Sequence, residues 1–244
     1  MSEEETKVEA AAEDTGAVET ENTTEVEAAP QKKRKKWPIV LGVVLVVVIA
    51  AGAGFWVWHE QPSFCAAICH TPMDEYLVTY DQEPNSQGVD KWGNEVSNTN
   101  SMMVVSHKSD DIDCLGCHVP TLSEQIGEGI AWVTGNYEYP LSERSLKDLG
   151  EAREQKSDDF CLVEGCHKDS NGNDLNTREQ LKETTAHLEF NPHSGQHGDE
   201  ACDSCHKAHR ASVMYCTQCH SNAEVPEGWL TTTEANQLPM GTAA

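Results

Sequence analysis

Basic residues are scarce in this sequence, and their scarcity excludes one large class of partner. Lysine and arginine together number 17 against 41 aspartates and glutamates, which gives a formal net charge of -24 at pH 7. Because a phosphate backbone would repel such a chain, no nucleic-acid partner is expected. The run KKRKK at residues 32–36 has the composition of a nuclear or nucleic-acid patch, but it directly precedes a long apolar stretch.

Charged residues are absent from residues 37–58, a stretch of 22 residues rich in Val, Leu and Ile. A helix of this length would be about 33 Å long, enough to cross the hydrocarbon core of a bilayer. Trp37 lies at one end, and Trp56 and Trp58 lie at the other, which is the distribution of an aromatic belt. Residues 37–58 are therefore predicted to form a single transmembrane helix.

The basic run on the N-terminal side of this helix predicts its orientation. By the positive-inside rule, residues 1–36 stay in the cytoplasm and residues 59–244 lie outside the cytoplasmic membrane. A cleaved signal peptide that ends at the small residues 51–53 is the alternative. Against it, a head of 36 residues is long for a signal peptide, and the apolar run continues to Trp58.

Large apolar side chains are nearly missing from residues 1–30 and are sparse in residues 59–244. The first segment cannot bury enough surface to offset its ordering entropy, so residues 1–36 are predicted to be a disordered acidic tail that ends in the basic cluster. Residues 59–244 are predicted to be mainly α-helical with much irregular coil, and no strand pattern stands out. Because aliphatic residues are few, something else must fill the core of this part.

Three short helices are indicated in residues 59–244. One begins near Thr71 and Pro72, since proline favours the first turn of a helix. The other two begin at capping boxes, in which the threonine and the acid or amide three residues later satisfy each other's backbone groups. These boxes join Thr121 to Glu124 and Thr177 to Gln180.

No cysteine precedes residue 65, and the ten that follow form five pairs. A histidine comes directly after every pair, although histidine makes up only 11 of 244 residues. The pairs stand in CAAICH, CLGCH, CLVEGCH, CDSCH and CTQCH, with cysteines at Cys65 and Cys69, Cys114 and Cys117, Cys161 and Cys166, Cys202 and Cys205, and Cys216 and Cys219.

This pattern is the attachment signature of c-type haem. Two thiols form thioether bonds to the two vinyl groups of the ring, and the adjacent histidine ligates the iron from one face. Five disulfides would leave the five histidines unexplained, and zinc sites, which pair two such motifs, would leave one motif unmatched. Five covalently attached haems c are therefore predicted, with the motif histidines His70, His118, His167, His206 and His220 as iron ligands.

Five irons have ten axial positions, so five further ligands are needed if every iron has six ligands. The candidates outside the motifs are Met73, His107, His187, His193, His197 and His209, while His59 abuts the apolar stretch and is interpreted as an interfacial residue without a ligand role. His209 lies three residues after His206, so it is better placed to serve a neighbouring haem. The first cysteines of successive motifs are 49, 47, 41 and 14 residues apart, which predicts that the last two haems lie close together.

Residues 37–120 resemble the NapC/NirT/NrfH family of membrane-anchored quinol dehydrogenases. The likeness rests on an N-terminal anchor soon followed by a haem motif, on Met73 after CAAICH, and on His107 ahead of CLGCHVP. It implies that Met73 ligates the first haem in place of His70 or beside it, that this haem lies near the quinol, and that His107 is a haem ligand. Menaquinol or another membrane quinol and the membrane lipid are the partners it implies.

Residues 191–220 resemble the tetrahaem domains of flavocytochrome c fumarate reductases. That resemblance implies that His193, His197 and His209 are distal ligands, and it indicates a flavin-dependent reductase as the extracytoplasmic partner. The chain departs from the quinol dehydrogenase family in having five motifs where four are usual. It also has no lysine between His118 and Lys147, where the family has the lysine of its quinol site. Proton acceptors to replace it are Glu124, Glu128 and Glu138, each of which can also be an ordinary surface charge.

The sequence thus predicts an electron-transfer subunit of anaerobic respiration that carries electrons from quinol to a reductase. The acidic surface predicts a basic docking patch on that reductase. Two alternatives stay open: a catalytic multihaem reductase of a small oxyanion, which needs an iron with an open face, and a passive haem wire without its own quinol site.

Overall fold

The computed structural model describes residues 36–118, 120–139, 144–151 and 156–239. Except for Lys36, the acidic tail predicted over residues 1–36 lies outside the described residues. The chain divides into two compact units after Val47, within the first helix.

The predicted apolar helix is present. Helix α1 spans Trp37–His59, one residue more than predicted, and none of its residues is buried against the rest of the protein. Its most apolar stretch of 18 residues has a mean hydropathy of 2.7, and among the described residues it is the helix that is long and apolar enough to cross a membrane. A membrane would supply the apolar surroundings that the protein itself does not give these side chains.

The rest of the described chain is mainly helical, in short pieces, as predicted. The helices are α2 (Pro62–Ile68), α3 (His70–Tyr80), α4 (Met103–Lys108), α5 (Cys114–Cys117), α6 (Leu122–Thr134), α7 (Leu146–Glu151), α8 (Ser157–Cys161), α9 (Arg178–Thr184), α10 (Cys202–Cys205) and α11 (Thr232–Gln237). Both predicted capping boxes form, at Thr121 and Thr177, and a third that was not predicted forms at Thr231. Helix α6 ends at Gly135, whose left-handed backbone (φ 69°) is the usual stop.

Four strands of two residues were not predicted. Strands β1 (Gly88–Val89) and β2 (Glu95–Val96) form an antiparallel hairpin, and β3 (Val213–Met214) and β4 (Leu230–Thr231) pair in parallel. Strands this short leave no alternation of polar and apolar residues for a sequence pattern to reveal.

The turn between β1 and β2 occurs a second time in the chain. Asp90 Oδ1 accepts hydrogen bonds from the backbone N–H groups of Trp92 and Asn94, at 2.8 and 2.9 Å. Asp169 Oδ1 does the same for Asn171 and Asn173, both at 2.8 Å. The two sequences, DKWGNE and DSNGND, share the spacing D-x-x-G-N. The glycine of each turn has a left-handed backbone, with φ of 79° and 85°, which explains why glycine stands there.

The aliphatic core is small. Val96, Met102, Val105 and Ala211 form its buried centre, and Val104 and Leu230 pack against it. This cluster joins α4 to the C-terminal strands but does not reach the first or third cysteine motif. The described residues therefore leave the interior around most motifs to something other than aliphatic side chains, as the composition predicts.

An ion pair fastens α8 to α9. Arg178 Nε and Nη2 donate to the two carboxylate oxygens of Asp158 at 2.5 and 2.7 Å. The hydrogen bonds from Arg178 hold the pKa of Asp158 below its usual range. Because α8 ends at Cys161, this pair fixes the position of the third cysteine motif.

Replacement of Asp158 by asparagine is expected to lower the free energy of unfolding by about 1 kcal/mol at pH 7, a value reduced because both side chains are partly exposed. A lowered carboxyl pKa stabilises the fold above the unfolded value of about 3.9 and loses that effect as the pH falls through the folded value. The difference between wild type and variant in urea denaturation should therefore shrink at pH 3. Asp159→Asn, a change at the exposed neighbour, is the control; a similar loss there would contradict the role of the pair.

Candidate haem-binding sites

The cysteine motifs with two intervening residues are wound into single helical turns. In each, the N–H of the motif histidine donates to the carbonyl of the first cysteine: His118 to Cys114 at 2.7 Å, His206 to Cys202 at 3.0 Å and His220 to Cys216 at 2.9 Å. One turn thus brings the two thiols and the imidazole of a motif together. Asp113 begins the turn of the second motif by accepting from Leu115 and Gly116.

The two motifs with longer spacers use other local structures. In the first, α2 carries Cys65, Cys69 N–H donates to the Cys65 carbonyl at 3.0 Å, and α3 begins at His70. In the third, Cys161 ends α8 and a turn through Gly165, with φ of 88°, leads to Cys166. The extra residues therefore bulge, and none of the ten cysteines forms a disulfide.

Thiols of successive motifs are close enough to affect one another's pKa. Burial raises the pKa of Cys114 to about 11, and Cys65 of the first motif adds to that shift. Burial and Asp113 raise the pKa of Cys117, and Cys166 of the third motif adds to it.

Thiols of the third, fourth and fifth motifs affect one another's pKa in the same way. The thiols of Cys161 and Cys202 are hydrogen-bonded, which raises the pKa of Cys161 and lowers that of Cys202 to about 7. Burial raises the pKa of Cys205, and Cys216 of the fifth motif adds to the shift. The five motifs are therefore neighbours in space in the same order as in the sequence.

Three motif histidines face a candidate distal histidine. Ring centroids lie 6.4 Å apart for His118 and His209, 6.2 Å for His167 and His107, and 6.2 Å for His220 and His197. Iron held between two imidazole nitrogens, each about 2 Å away, would place the two centroids about 6.3 Å apart. The spacing of all three pairs fits a six-coordinate iron.

Hydrogen bonds orient three of the candidate distal histidines. His107 Nδ1 lies 2.7 Å from the Met103 carbonyl, which can only accept, so Nδ1 carries the proton. His209 Nδ1 lies 2.7 Å from the Thr79 hydroxyl, which donates its own proton to the Tyr76 carbonyl and so accepts from the imidazole. In both rings Nε2 is left as the unprotonated nitrogen, the form that binds a metal.

His193 is oriented in the same way. Its Nδ1 lies 3.2 Å from the Thr185 hydroxyl, whose single proton is taken by one of two acceptors, the Leu181 carbonyl at 2.8 Å or Asn191 Oδ1 at 2.7 Å, so that the hydroxyl oxygen accepts from the imidazole. The Thr79 and Thr185 hydroxyls are functional candidates that the sequence analysis missed. No local sequence pattern indicates Thr79, because the histidine to which it is hydrogen-bonded, His209, lies 130 residues further along the chain.

Burial keeps one candidate distal histidine and one motif histidine uncharged at neutral pH. It lowers the pKa of His209 to about 3, with His118 and Lys91 adding to the shift. It lowers the pKa of His206 to about 4, and nearby histidines, of which His193 has the largest effect, add to the shift. His193 therefore lies near His206.

The other predicted ligands lie outside these pairs. The side chain of His70 is not among those described. Met73 lies in the first turn of α3, where its N–H donates to the Cys69 carbonyl at 3.1 Å. His187 is exposed. His59 packs its ring on Phe64 and Trp56, at centroid distances of 4.8 and 6.0 Å.

A cleft of about 320 Å³ lies beside the second motif. Its walls come from Trp56 and His59 at the C-terminal end of α1, Glu60, Asp113 and Leu115 at the second motif, and Pro120 and Gln125 at the start of α6. Carboxylates of helix α6 lie near the first motif. Partial loss of solvent raises the pKa of Glu128, and Glu124 adds to the shift. The charge of Glu128 in turn adds to the raised pKa of both Cys65 and Cys69.

The donor set fits covalent haem. Cysteines in pairs without disulfides, imidazoles set at the spacing of a six-coordinate iron, and a sparse aliphatic core all suit large prosthetic groups. Among the residues with described side chains, no cluster of three or more His, Cys, Asp or Glu could hold a bare metal ion. The fold and these sites define a multihaem c-type cytochrome.

Comparison with known proteins agrees with this class. Residues 146–221 match the family described as cytochrome c3. Over 209 residues, 86% of this chain and 94% of the other, the chain is 66% identical to the cytochrome c-type protein Cgr1 of Eggerthella lenta. A stretch of 34 residues, 14% of this chain, is 50% identical to 6% of the probable fumarate reductase Ifc3 of Shewanella frigidimarina. No solved structure matches the chain.

The chain belongs to the family of Cgr1, since it covers nearly all of that protein at high identity. Covalent haem c and a part in electron transfer, both predicted from the sequence, agree with these similarities. The short match to a fumarate reductase agrees with the tetrahaem likeness noted for the C-terminal part.

Proposed function

We propose that this protein takes electrons from menaquinol or another membrane quinol and passes them outside the cytoplasmic membrane to a reductase that is a flavoprotein. It is held by α1 with its N-terminus in the cytoplasm, and it resembles the NapC/NirT/NrfH quinol dehydrogenases in this arrangement. The observation that carries the proposal is the spatial order of the five cysteine motifs, which makes each a neighbour of the next. A linear series of redox centres suits transport from one end of a domain to the other.

Five haems c are the proposed cofactors, one at each motif. The paired thiols would form the thioethers, and the proposed axial pairs are His118 with His209, His167 with His107, His220 with His197 and His206 with His193. The first haem would take His70, Met73 or both. When bound, the haems supply the one-electron redox chemistry at iron. His187 is left unused by these pairs.

The proposed quinol site is the cleft at the outer end of α1. Its volume lies in the range of small-molecule pockets, and its mixed lining of indole, imidazole and amide groups suits an aromatic ring with two hydroxyls. His59 is thereby proposed to bind quinol, although the sequence alone indicated no role beyond the interface.

Of the three candidate proton acceptors, Glu128 is the one the structure favours. Glu124 Oε2 is engaged by the N–H and hydroxyl of Thr121, at 2.6 and 2.9 Å, as part of the capping box. Glu138 is exposed. Glu128 lies near the thiols of the first motif with a raised pKa, which suits a base that must take a proton and then release it.

Replacement of Glu128 by glutamine is expected to slow quinol-driven haem reduction by about tenfold or more, since general bases contribute on this scale or above. The wild-type rate should rise with pH as Glu128 loses its proton, because only the carboxylate can accept one from quinol. The variant should lack that rise. The measurement is stopped-flow absorbance of the holoprotein in vesicles with a menaquinol analogue at several pH values.

Glu138→Gln is the matched control and should reduce at the wild-type rate. Equal rates for both variants would remove Glu128 from the mechanism. No reduction of the wild type by quinol, while dithionite reduces it fully, would overturn the quinol site and leave a passive wire.

A further inference from the structure

Helix α6 has its apolar stripe on the outside of the protein. Leu122, Ile126, Ile130 and Val133 recur at spacings of four, four and three residues, which places them on one face of a helix. Their exposed fractions are 72%, 55%, 59% and 76%. A surface helix normally turns such a stripe towards the core, so its position here calls for a partner outside the described residues.

The polar face of α6 is the one turned towards the domain. Glu124, Gln125 and Ala131 on that face are partly buried. Glu128, on the same side, is close enough to the first motif to affect the pKa of Cys65 and Cys69. Helix α6 therefore already contacts the domain through its polar face, and its apolar stripe points away from the domain.

The position of α6 identifies the partner. Gln125 in its second turn and Pro120 just before it line the same cleft as Trp56 and His59 of α1, so α6 begins level with the outer end of that helix. Exposed aromatic residues with polar groups stand at the end of the helix and just beyond it: Trp132 precedes the last stripe residue, and Tyr137 and Tyr139 follow it, with exposed fractions of 43%, 39% and 46%. Side chains of this kind favour the boundary between lipid and water.

We propose that α6 lies flat on the outer surface of the membrane, with its apolar stripe among the lipids. The inference rests on the proposed anchoring by α1. That anchor keeps α6 close to the membrane, so the effective concentration of lipid around the helix is high. A short apolar stripe is then enough to bind the membrane surface. A second copy of the chain would have to be recruited to cover the same face. With α6 in this place, the cleft opens at the level where quinol headgroups lie.

Lipid photolabelling tests this contact. The full-length holoprotein is reconstituted in phosphatidylcholine vesicles that contain a lipid with a diazirine on its acyl chain, and labelled peptides are quantified by mass spectrometry after irradiation. Peptides from α1 are the internal positive control, and peptides from α9 are the negative control. We expect α6 peptides to carry about tenfold more lipid adduct than α9 peptides.

A pair of matched variants separates the stripe from the helix as a whole. Ile126→Lys with Ile130→Lys should lower the α6 adduct about tenfold, because charge on the stripe opposes burial in lipid. Gly127→Lys with Ala131→Lys adds the same charge to the same helix on the side away from the stripe and should leave the adduct within about twofold of wild type.

Labelled α1 with unlabelled α6 would overturn the inference, whether a second copy or a haem covers the stripe, and would leave the anchor intact. Equal loss of label in both lysine variants would also overturn it, because the stripe would then have no special role. An unlabelled α1 would overturn the proposed anchor itself. Reduction by quinol is measured separately, so the two proposals fail in distinguishable ways.

Discussion

Replacing His107 by alanine is expected to turn one haem from low-spin to high-spin without loss of any haem. His107 is the proposed distal ligand opposite His167, at 6.2 Å between ring centroids, and its Nδ1 is fixed by the Met103 carbonyl. Without it the iron keeps one protein ligand and water takes the open position. Electron paramagnetic resonance of the ferric protein should gain a high-spin signal equal to about one haem in five.

The same spectrum carries a second signature of this pair. The ring planes of His107 and His167 are 88° apart, while those of His118 and His209 are 25° apart and those of His197 and His220 33°. Perpendicular imidazole planes leave two iron orbitals nearly equal in energy, which gives a strongly anisotropic low-spin signal. The wild type should show that signal, and His107→Ala should lose it while the signals of the other pairs persist.

His187→Ala is the matched control, because His187 is exposed and lies outside the proposed pairs. Its spectrum should equal that of the wild type. A high-spin signal in the His187 variant and none in the His107 variant would reverse the assignment. A large high-spin signal in the wild type would instead favour the catalytic reductase that the sequence left open as an alternative.

Local features of this protein were predictable because they depend on residues close in sequence. The capping boxes at Thr121 and Thr177 each involve two side chains three residues apart, and the apolar helix depends on composition alone. The repeated D-x-x-G-N turns had an equally local signal that could have been found by comparing Asp90 with Asp169. The two-residue strands had none.

The distal pairs could not be predicted, because they are set by the tertiary fold. His107 comes shortly before the second motif, yet it faces His167 of the third, and His118 of the second motif faces His209 near the end of the chain. Spacing supplied the candidates but no rule for matching them. The fold matches them through contacts such as the backbone hydrogen bonds from Met103 and Val104 to residues 207 and 208, just before His209.

The direction of helix α6 shows why pattern reasoning fails near a prosthetic group. The capping box at Thr121 correctly predicted a helix, and Ile126, Ile130 and Val133 lie on one face of it. The usual rule that the apolar face points inward assumes an aliphatic interior. In this protein, thiols, imidazoles and the proposed haems form the interior. The polar face of α6, which carries Glu128, can therefore point inward, and the apolar face can contact lipid.

The order of the motifs predicts that removing one haem site affects quinol-driven haem reduction strongly near the first motif and weakly at the fifth. Replacing Cys114 and Cys117 together by alanine should leave four haems, since each motif holds its own. The second motif is the neighbour of the first through Cys65 and of the third through Cys166. Quinol should then quickly reduce only the haem at the first motif, about one in four of those present, because electron transfer across the gap is slow.

Replacing Cys216 and Cys219 by alanine is the matched control at the far end of the series. This variant should also hold four haems, confirmed by intact mass, but quinol should reduce all four quickly, because the first four motifs are still neighbours. The wild type should carry five haem masses on the polypeptide. Dithionite, which does not need the series, should reduce every haem in all three proteins. If quinol reduced the two variants to the same extent, electrons would enter at more than one place and the linear order would be wrong.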